Sequence, residues 1–248
     1  MADLAWLTAR PIAHRGLHNA SAGVIENTAS AFTAAISGNY GIETDIQISA
    51  DGEAMAHHDD ALGRLTEGSA RLADLNTTEI KAATFKATAD RILTLGELCD
   101  LVGGRTPLVI ELKSHFDGDP RLVRRAAEVL AAYRGPAAVM SFDPGMIEAA
   151  RAIAPHLTRG IVAERHYDDA EWQRLAPSAK RQLTWLLHGF RTRPQFIAYG
   201  VKDLPAAVPL VARAVFGLPL LTWTVRSAED RRAAARWADQ MIFEGWRP

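Results

Sequence analysis

The sequence predicts an α/β fold in which eight parallel strands alternate with helices and close into a barrel. Three observations point there. A chain of 248 residues that is 48% hydrophobic can bury a large core. Short apolar runs alternate along it with segments whose apolar residues recur at spacings of three and four, the marks of strands and amphipathic helices in turn. No G-x-G-x-x-G follows the first strand, which weakens the rival open, doubly wound sheet in its usual dinucleotide-binding form.

The strands fall near Pro11–His14, Gly41–Gln47, Leu108–Lys113, Ala137–Ser141, Arg159–Ala163, Phe196–Val201, Leu220–Thr224 and Gln240–Phe243. Each is a short, mostly apolar run, as parallel strands covered on both faces should be. Helical periodicity appears at Thr28–Ser37, Arg121–Tyr133, Pro144–Ile153, Ala206–Phe216 and Ala228–Trp237. Between His58 and Thr94 the alternation gives way to a polar, mixed stretch. Residues 59–93 read as an excursion above the barrel with one short helix near Thr77–Ala83, capped by Asn76 or Thr77 and carrying Glu79 in its first turn. No repeat or flexible linker divides the chain, so a single domain spanning residues 1–248, with 59–93 as an insertion, is expected.

Composition removes several function classes. With 28 basic against 29 acidic residues and no block of like charge, the sequence lacks the broad footprint of a nucleic-acid binder. Its single cysteine, Cys99, excludes an internal disulfide and a thiolate metal cluster, and fits a reducing cytoplasm. Asp3 within the first ten residues and the lack of a long apolar stretch there predict no signal peptide. No run reaches the roughly 18 apolar residues of a membrane span, and the mixed insertion predicts no stable membrane association.

The chemistry concentrates at strand ends. Glu43 and Asp45 are two apart on a strand and share a face, where like charges repel unless a cation intervenes or one takes up a proton. A solvated edge strand is the plain alternative for this pair. Glu111 and Lys113 close the strongly apolar run PLVIELK; an ion pair at the barrel mouth is the alternative there. Three carboxylates without cysteine favour a hard cation, Mg²⁺ or Ca²⁺. His14 and one of the adjacent His57 and His58 stand at strand ends, where they can act as a base and acid pair near neutral pH. Arg15 and Lys113 add positive charge suited to a phosphate. Cys99 sits in an apparent helix and reads as a buried structural thiol, and no G-x-S-x-G offers a serine nucleophile.

Taken together, His14-Arg15-Gly16, Glu26-Asn27-Thr28, Glu43-x-Asp45, Asp51-Gly52 and His58-Asp59 followed by Leu62 and Arg64 closely resemble the signature of the glycerophosphodiester phosphodiesterases. TLGEL at 94–98, IELK at 110–113, SFD at 141–143 and TWTV at 222–225 extend the resemblance over nearly the whole chain. The resemblance implies a TIM (β/α)8 barrel with a small insertion after the second strand. It implies one divalent cation on Glu43, Asp45 and Glu111, with His14 and His58 as the acid-base pair and Arg15 and Lys113 on the phosphate. It selects His58 over His57. The implied reaction converts glycerophosphodiesters to sn-glycerol 3-phosphate and an alcohol. Trp223, at a strand end, reads either as an apolar wall against the glycerol carbons or as core packing. The alternatives in function are phospholipase C- or D-like action on a bulkier phosphodiester, and a non-catalytic barrel that binds a phosphorylated ligand. One departure stands out: the family commonly ends its last strand with Thr-Asp and a nearby proline, whereas this chain has Phe243-Glu244-Gly245.

Overall fold

A computed structural model describes residues 4–248. Among these residues, β1 (Ile12–Ala13), β2 (Gly41–Ile48), β4 (Leu108–Leu112), β5 (Ala137–Ser141), β6 (Thr158–Ala163), β7 (Phe196–Gly200), β8 (Leu220–Val225) and β9 (Gln240–Phe243) pair in parallel, in chain order. The sheet closes because β1 pairs on one side with β9, Ile12 opposite Ile242, and on the other with β2, Ile12 opposite Gly41. The extra strand, β3 (Ala54–Ala56), runs antiparallel to the upper end of β2. Sequence periodicity does not reveal it, because three small or apolar residues carry no period.

Helices cover the outside: α2 (Ala29–Ser37), α4 (Leu95–Val102), α5 (Arg121–Ala132), α6 (Pro144–Ile153), α9 (Ala207–Phe216) and α10 (Ala228–Trp237), with the short α1 (Ala5–Thr8), α7 (Pro177–Thr184) and α8 (Gly189–Thr192). Their starts follow from capping chemistry. Thr94 and Glu97 cap α4 reciprocally, and Ser227 and Asp230 do the same for α10. At α6, Asp143 accepts from the Gly145 N–H, and Pro144 in the first turn has no donor to leave unpaired. Phe32, Leu98, Val123 and Met146 seal the layer between helices and strands, and Val109, Met140, Phe196 and Leu221 fill the barrel interior.

The stretch after β3 builds a small core of its own from Ile25, Met55, Leu72, Ile80, Phe85 and Ile92. Its helix α3 (Thr77–Ala82) begins at Asn76, whose side chain accepts from Glu79 N–H while the Glu79 carboxylate accepts from Asn76 N–H. This excursion is therefore packed, and it holds the loop bearing His58 against the barrel top.

One buried histidine makes the barrel acid-sensitive. His188 is fully buried, its Nε2 has no partner, and burial and then Arg191 lower its pKa to about 4. Folded His188 stays neutral while the unfolded chain takes up a proton near 6.5. Stability is therefore lost as pH falls from about 6.5 towards 4, by about 3 kcal/mol in all. Urea titrations at about pH 7 and about pH 4 should show His188→Gln losing less stability than the parent over that interval; an equal loss would refute this role.

Candidate active site

The register of two neighbouring strands assembles the acidic cluster. Asp45 on β2 lies directly beside Glu111 on β4, and Glu43 lies two residues below Asp45 on the same face. One oxygen from each of Glu43, Asp45 and Glu111 falls within 4.8 Å of the others, and all three residues are buried. Neither the solvated-edge alternative nor an isolated ion pair describes this arrangement. Lys113 Nζ does pair with Glu111 at 2.7 Å, but it also lies 2.9 Å from Asp45.

The first strand's end delivers the opposing groups. Arg15 N–H donates to Glu43 Oε2 at 2.9 Å, its Nε stands 3.2 Å from Asp45 Oδ2, and one terminal nitrogen donates to Glu26 at 2.7 Å. Both Arg15 and Gly16 have positive φ, 54° and 79°. A Cβ at Gly16 would lie 2.9 Å from the Ala31 backbone, so the turn needs a glycine there both for φ and for space.

The electrostatics separate the carboxylates. Burial pushes the Glu43 carboxyl well up, and Asp45 and Glu111 add to that. For Asp45 burial acts in the same upward direction, but Lys113, His58, Arg15 and His14 together outweigh it and hold the group well below the usual carboxylate range. Lys113 is held firmly protonated: the two carboxylates overcome its burial. The cluster thus carries one carboxylate more than its fixed cations satisfy. That surplus, on three buried oxygen donors, fits a hard divalent cation.

Two histidines flank the cluster in the same manner. His14 Nδ1 is 2.7 Å from Glu244 Oε2, which leaves Nε2 facing Glu43 at 3.9 Å. His58 Nδ1 is 2.8 Å from Asp59 Oδ1. A carboxylate on Nδ1 selects the tautomer with its proton there and frees Nε2 for proton transfer. His14 lies below its ordinary pKa, because burial exceeds the help of Glu244, and is neutral at neutral pH. His57, by contrast, is buried with Nε2 unpartnered, while His58 lines a cavity of about 290 Å³.

That cavity also exposes Glu111, Lys113, His115, Phe142, Trp172 and Arg174. Trp223 packs edge-on against Phe142 with ring centroids 5.5 Å apart, and its Nε1 donates to the Ala198 carbonyl. It backs Phe142, which lines the cavity.

Three contributors stand in the sequence without an assigned role, Asn27 and Asp59 within the signature and Glu244 as a departure from it. Asn27, at φ 55°, donates from Nδ2 to Asp45 at 3.0 Å while its Oδ1 accepts from Thr44. Asp59 joins His58 to Arg64, which is also held by Glu26. Glu244, noticed only as a departure, turns out to orient His14; Ala13 opposite Phe243 in the register puts the two next residues side by side. The longer side chain of glutamate still reaches the ring, and Arg226 steadies it at 2.8 Å. Removing that negative charge in Glu244→Gln should lower kcat by about tenfold with KM little changed, and Glu244→Asp should recover part of the loss. Steady-state kinetics in which KM alone rises would argue against positioning.

Comparison with known proteins gives a consistent result. The model of the glycerophosphoryl diester phosphodiesterase family matches residues 14–245. A glycerophosphodiester phosphodiesterase of Caldanaerobacter subterraneus subsp. tengcongensis is 34% identical over 231 residues, covering 88% of this chain and 86% of that protein. Human glycerophosphodiester phosphodiesterase 1 is 25% identical over 249 residues, 89% of this chain and 72% of that one. Among solved structures, an Oleispira antarctica phosphodiesterase in complex with the product sn-glycerol-3-phosphate superposes with a TM-score of 0.76 at 21% identity, over 96% of this chain and 94% of its own. The glycerophosphodiester phosphodiesterase of Thermotoga maritima superposes with a TM-score of 0.67 at 23% identity, over 94% and 92%.

Proposed function

The chain belongs to the glycerophosphoryl diester phosphodiesterase family and is a phosphodiesterase hydrolase, and from that premise we propose that it cleaves glycerophosphodiesters to sn-glycerol 3-phosphate and an alcohol by histidine acid-base catalysis beside a divalent cation. The observation that carries this reading is the pair of histidines, each tied through Nδ1 to a carboxylate, near three buried carboxylates, His14 facing Glu43 and His58 sharing a cavity with Glu111. A barrel that only bound a phosphorylated ligand would need neither proton carrier.

Glu43, Asp45 and Glu111 would hold the cation, Mg²⁺ or Ca²⁺, which supplies Lewis-acid stabilisation of charge developing on the phosphate. Arg15 and Lys113 add fixed positive charge at the same place. His14, neutral and with Nε2 open, takes the proton from the attacking hydroxyl. His58 gives a proton to the departing alkoxide. In our reading the attacking group is the glycerol hydroxyl next to the phosphoester. Its oxygen bonds to phosphorus as the alcohol leaves, giving a cyclic phosphate; water then opens the ring with the histidines in exchanged roles.

The deciding measurement is enzymatic determination of sn-glycerol 3-phosphate released from glycerophosphocholine and glycerophosphoethanolamine. Equimolar release of alcohol and sn-glycerol 3-phosphate is expected. Release of phosphocholine or phosphoethanolamine instead, or no turnover of either diester, would overturn the reading.

A further inference from the structure

We propose that the outer face formed by α7, α8 and α9 docks on the surface of an anionic lipid bilayer. Among the described residues, the large hydrophobic side chains left exposed are Trp185 and Leu187 between α7 and α8, Phe190 on α8, Val211, Val215 and Phe216 on α9, and Ile153 at the end of α6, which packs beside α8. None lies elsewhere on the barrel. Phe190 is 93% exposed, a position that no fold requirement explains. On α9 the outward residues Val211, Ala214, Val215 and Phe216 leave Arg213 as the helix's charged group, and Arg213 is tied to Asp239 at 2.6 Å. An ordinary surface helix turns polar residues outward; this one does not.

The charge around this face is predominantly positive. From Gln173 to Gly200 the chain carries Arg174, Lys180, Arg181, Arg191 and Arg193 and no aspartate or glutamate, although its overall net charge is -1. Arg174 turns into the site cavity; the other four flank Trp185, Leu187 and Phe190. Beneath them Arg159 is buried with neutral acceptors alone, the carbonyls of Pro155 and Thr192 and Gln195 Oε1, each at 3.4 Å. Arg151 also belongs to this group, donating to the Arg191 carbonyl at 2.7 Å. Two carboxylates meet this face, Glu148, 3.4 Å from Arg191, and Asp239, already paired with Arg213.

Aromatic and aliphatic side chains ringed by an excess of cations match an interface with acidic phospholipids, where the apolar groups enter the acyl boundary and the cations meet phosphates. A second copy of this chain fits poorly. A two-fold contact would set Arg181, Arg191 and Arg193 against their own copies. Sequence periodicity does not reveal this face, because residues 185–190 lie in a stretch without a regular apolar stripe and are distant in the chain from 211–216.

Flotation with phosphatidylcholine vesicles, with and without phosphatidylglycerol as a third of the lipid, tests the proposal. Binding is expected only with phosphatidylglycerol, and it should fall in high salt. Phe190→Ser should weaken it by about tenfold, and Arg191→Ala and Arg193→Ala by about fivefold each. Turnover of a water-soluble diester should be unchanged in all three variants, which reports that they are folded. Absence of flotation with phosphatidylglycerol at low salt would overturn the proposal. So would full binding by Phe190→Ser, or a dimer in sedimentation equilibrium that Phe190→Ser dissociates without any vesicle binding.

Discussion

Replacing His14 or His58 by alanine is expected to lower kcat by about a hundredfold or more, while His57→Ala should change it far less. The asymmetry follows from position: His57 is buried away from the cavity that His58 lines, although the two are adjacent in the chain. The two active histidines can also be told apart. If His58 protonates the departing alkoxide, its loss should be largely masked in the first-turnover release of p-nitrophenol, which leaves without a proton, although His58 is still needed to open the cyclic phosphate in later turnovers. Loss of His14, which takes the hydroxyl proton, should be as damaging with that substrate as with a choline ester. Near-normal kcat in folded His14→Ala protein, or equal losses for both variants in the first-turnover release of p-nitrophenol, would refute these assignments.

Strand positions were legible in the sequence to within a residue or two because each barrel strand is an apolar run bounded by helical periodicity. Ala137–Ser141 and Gln240–Phe243 coincide with the observed strands, as Pro144–Ile153 and Ala228–Trp237 do with the helices. The segment between β6 and β7 was not legible: α7 and α8 are short, and their exposed Trp185, Leu187 and Phe190 blur the apolar stripe on which a periodicity argument depends. Within the site, groups two apart on one strand could be placed together by the pleat alone, as for Glu43 with Asp45. Contacts that depend on register between distant strands could not. Glu244 meets His14 across 230 residues of sequence. Asn27 reaches Asp45 from a left-handed turn, a conformation that asparagine tolerates better than most residues but that nothing in its neighbours announces.

Removal of divalent cations is expected to bring turnover below a hundredth of its starting value and to lower stability at the same time. The cluster explains both. Three buried carboxylates face Arg15 and Lys113, and the cost of that imbalance falls on Glu43, which burial, Asp45 and Glu111 push towards protonation. Because its folded pKa lies above its unfolded value near 4.5, the cation-free protein keeps this contribution at lower pH. It loses stability as pH rises from about 4.5 through the raised value. A bound cation takes the place of that proton, so the loss with rising pH should disappear. At a hundredfold excess over its dissociation constant the ion should add about 2.7 kcal/mol, about 5–10 °C in Tm for a chain of this size. Glu43→Gln provides the contrast: without the surplus charge the cation-free variant should be at least as stable as the parent, yet it should respond far less to Mg²⁺ or Ca²⁺. Calorimetry with chelator and with each ion, alongside the sn-glycerol 3-phosphate assay, separates these outcomes. Undiminished turnover after thorough chelation would remove the cation from the mechanism, and an unchanged thermal response in Glu43→Gln would move its site away from these carboxylates.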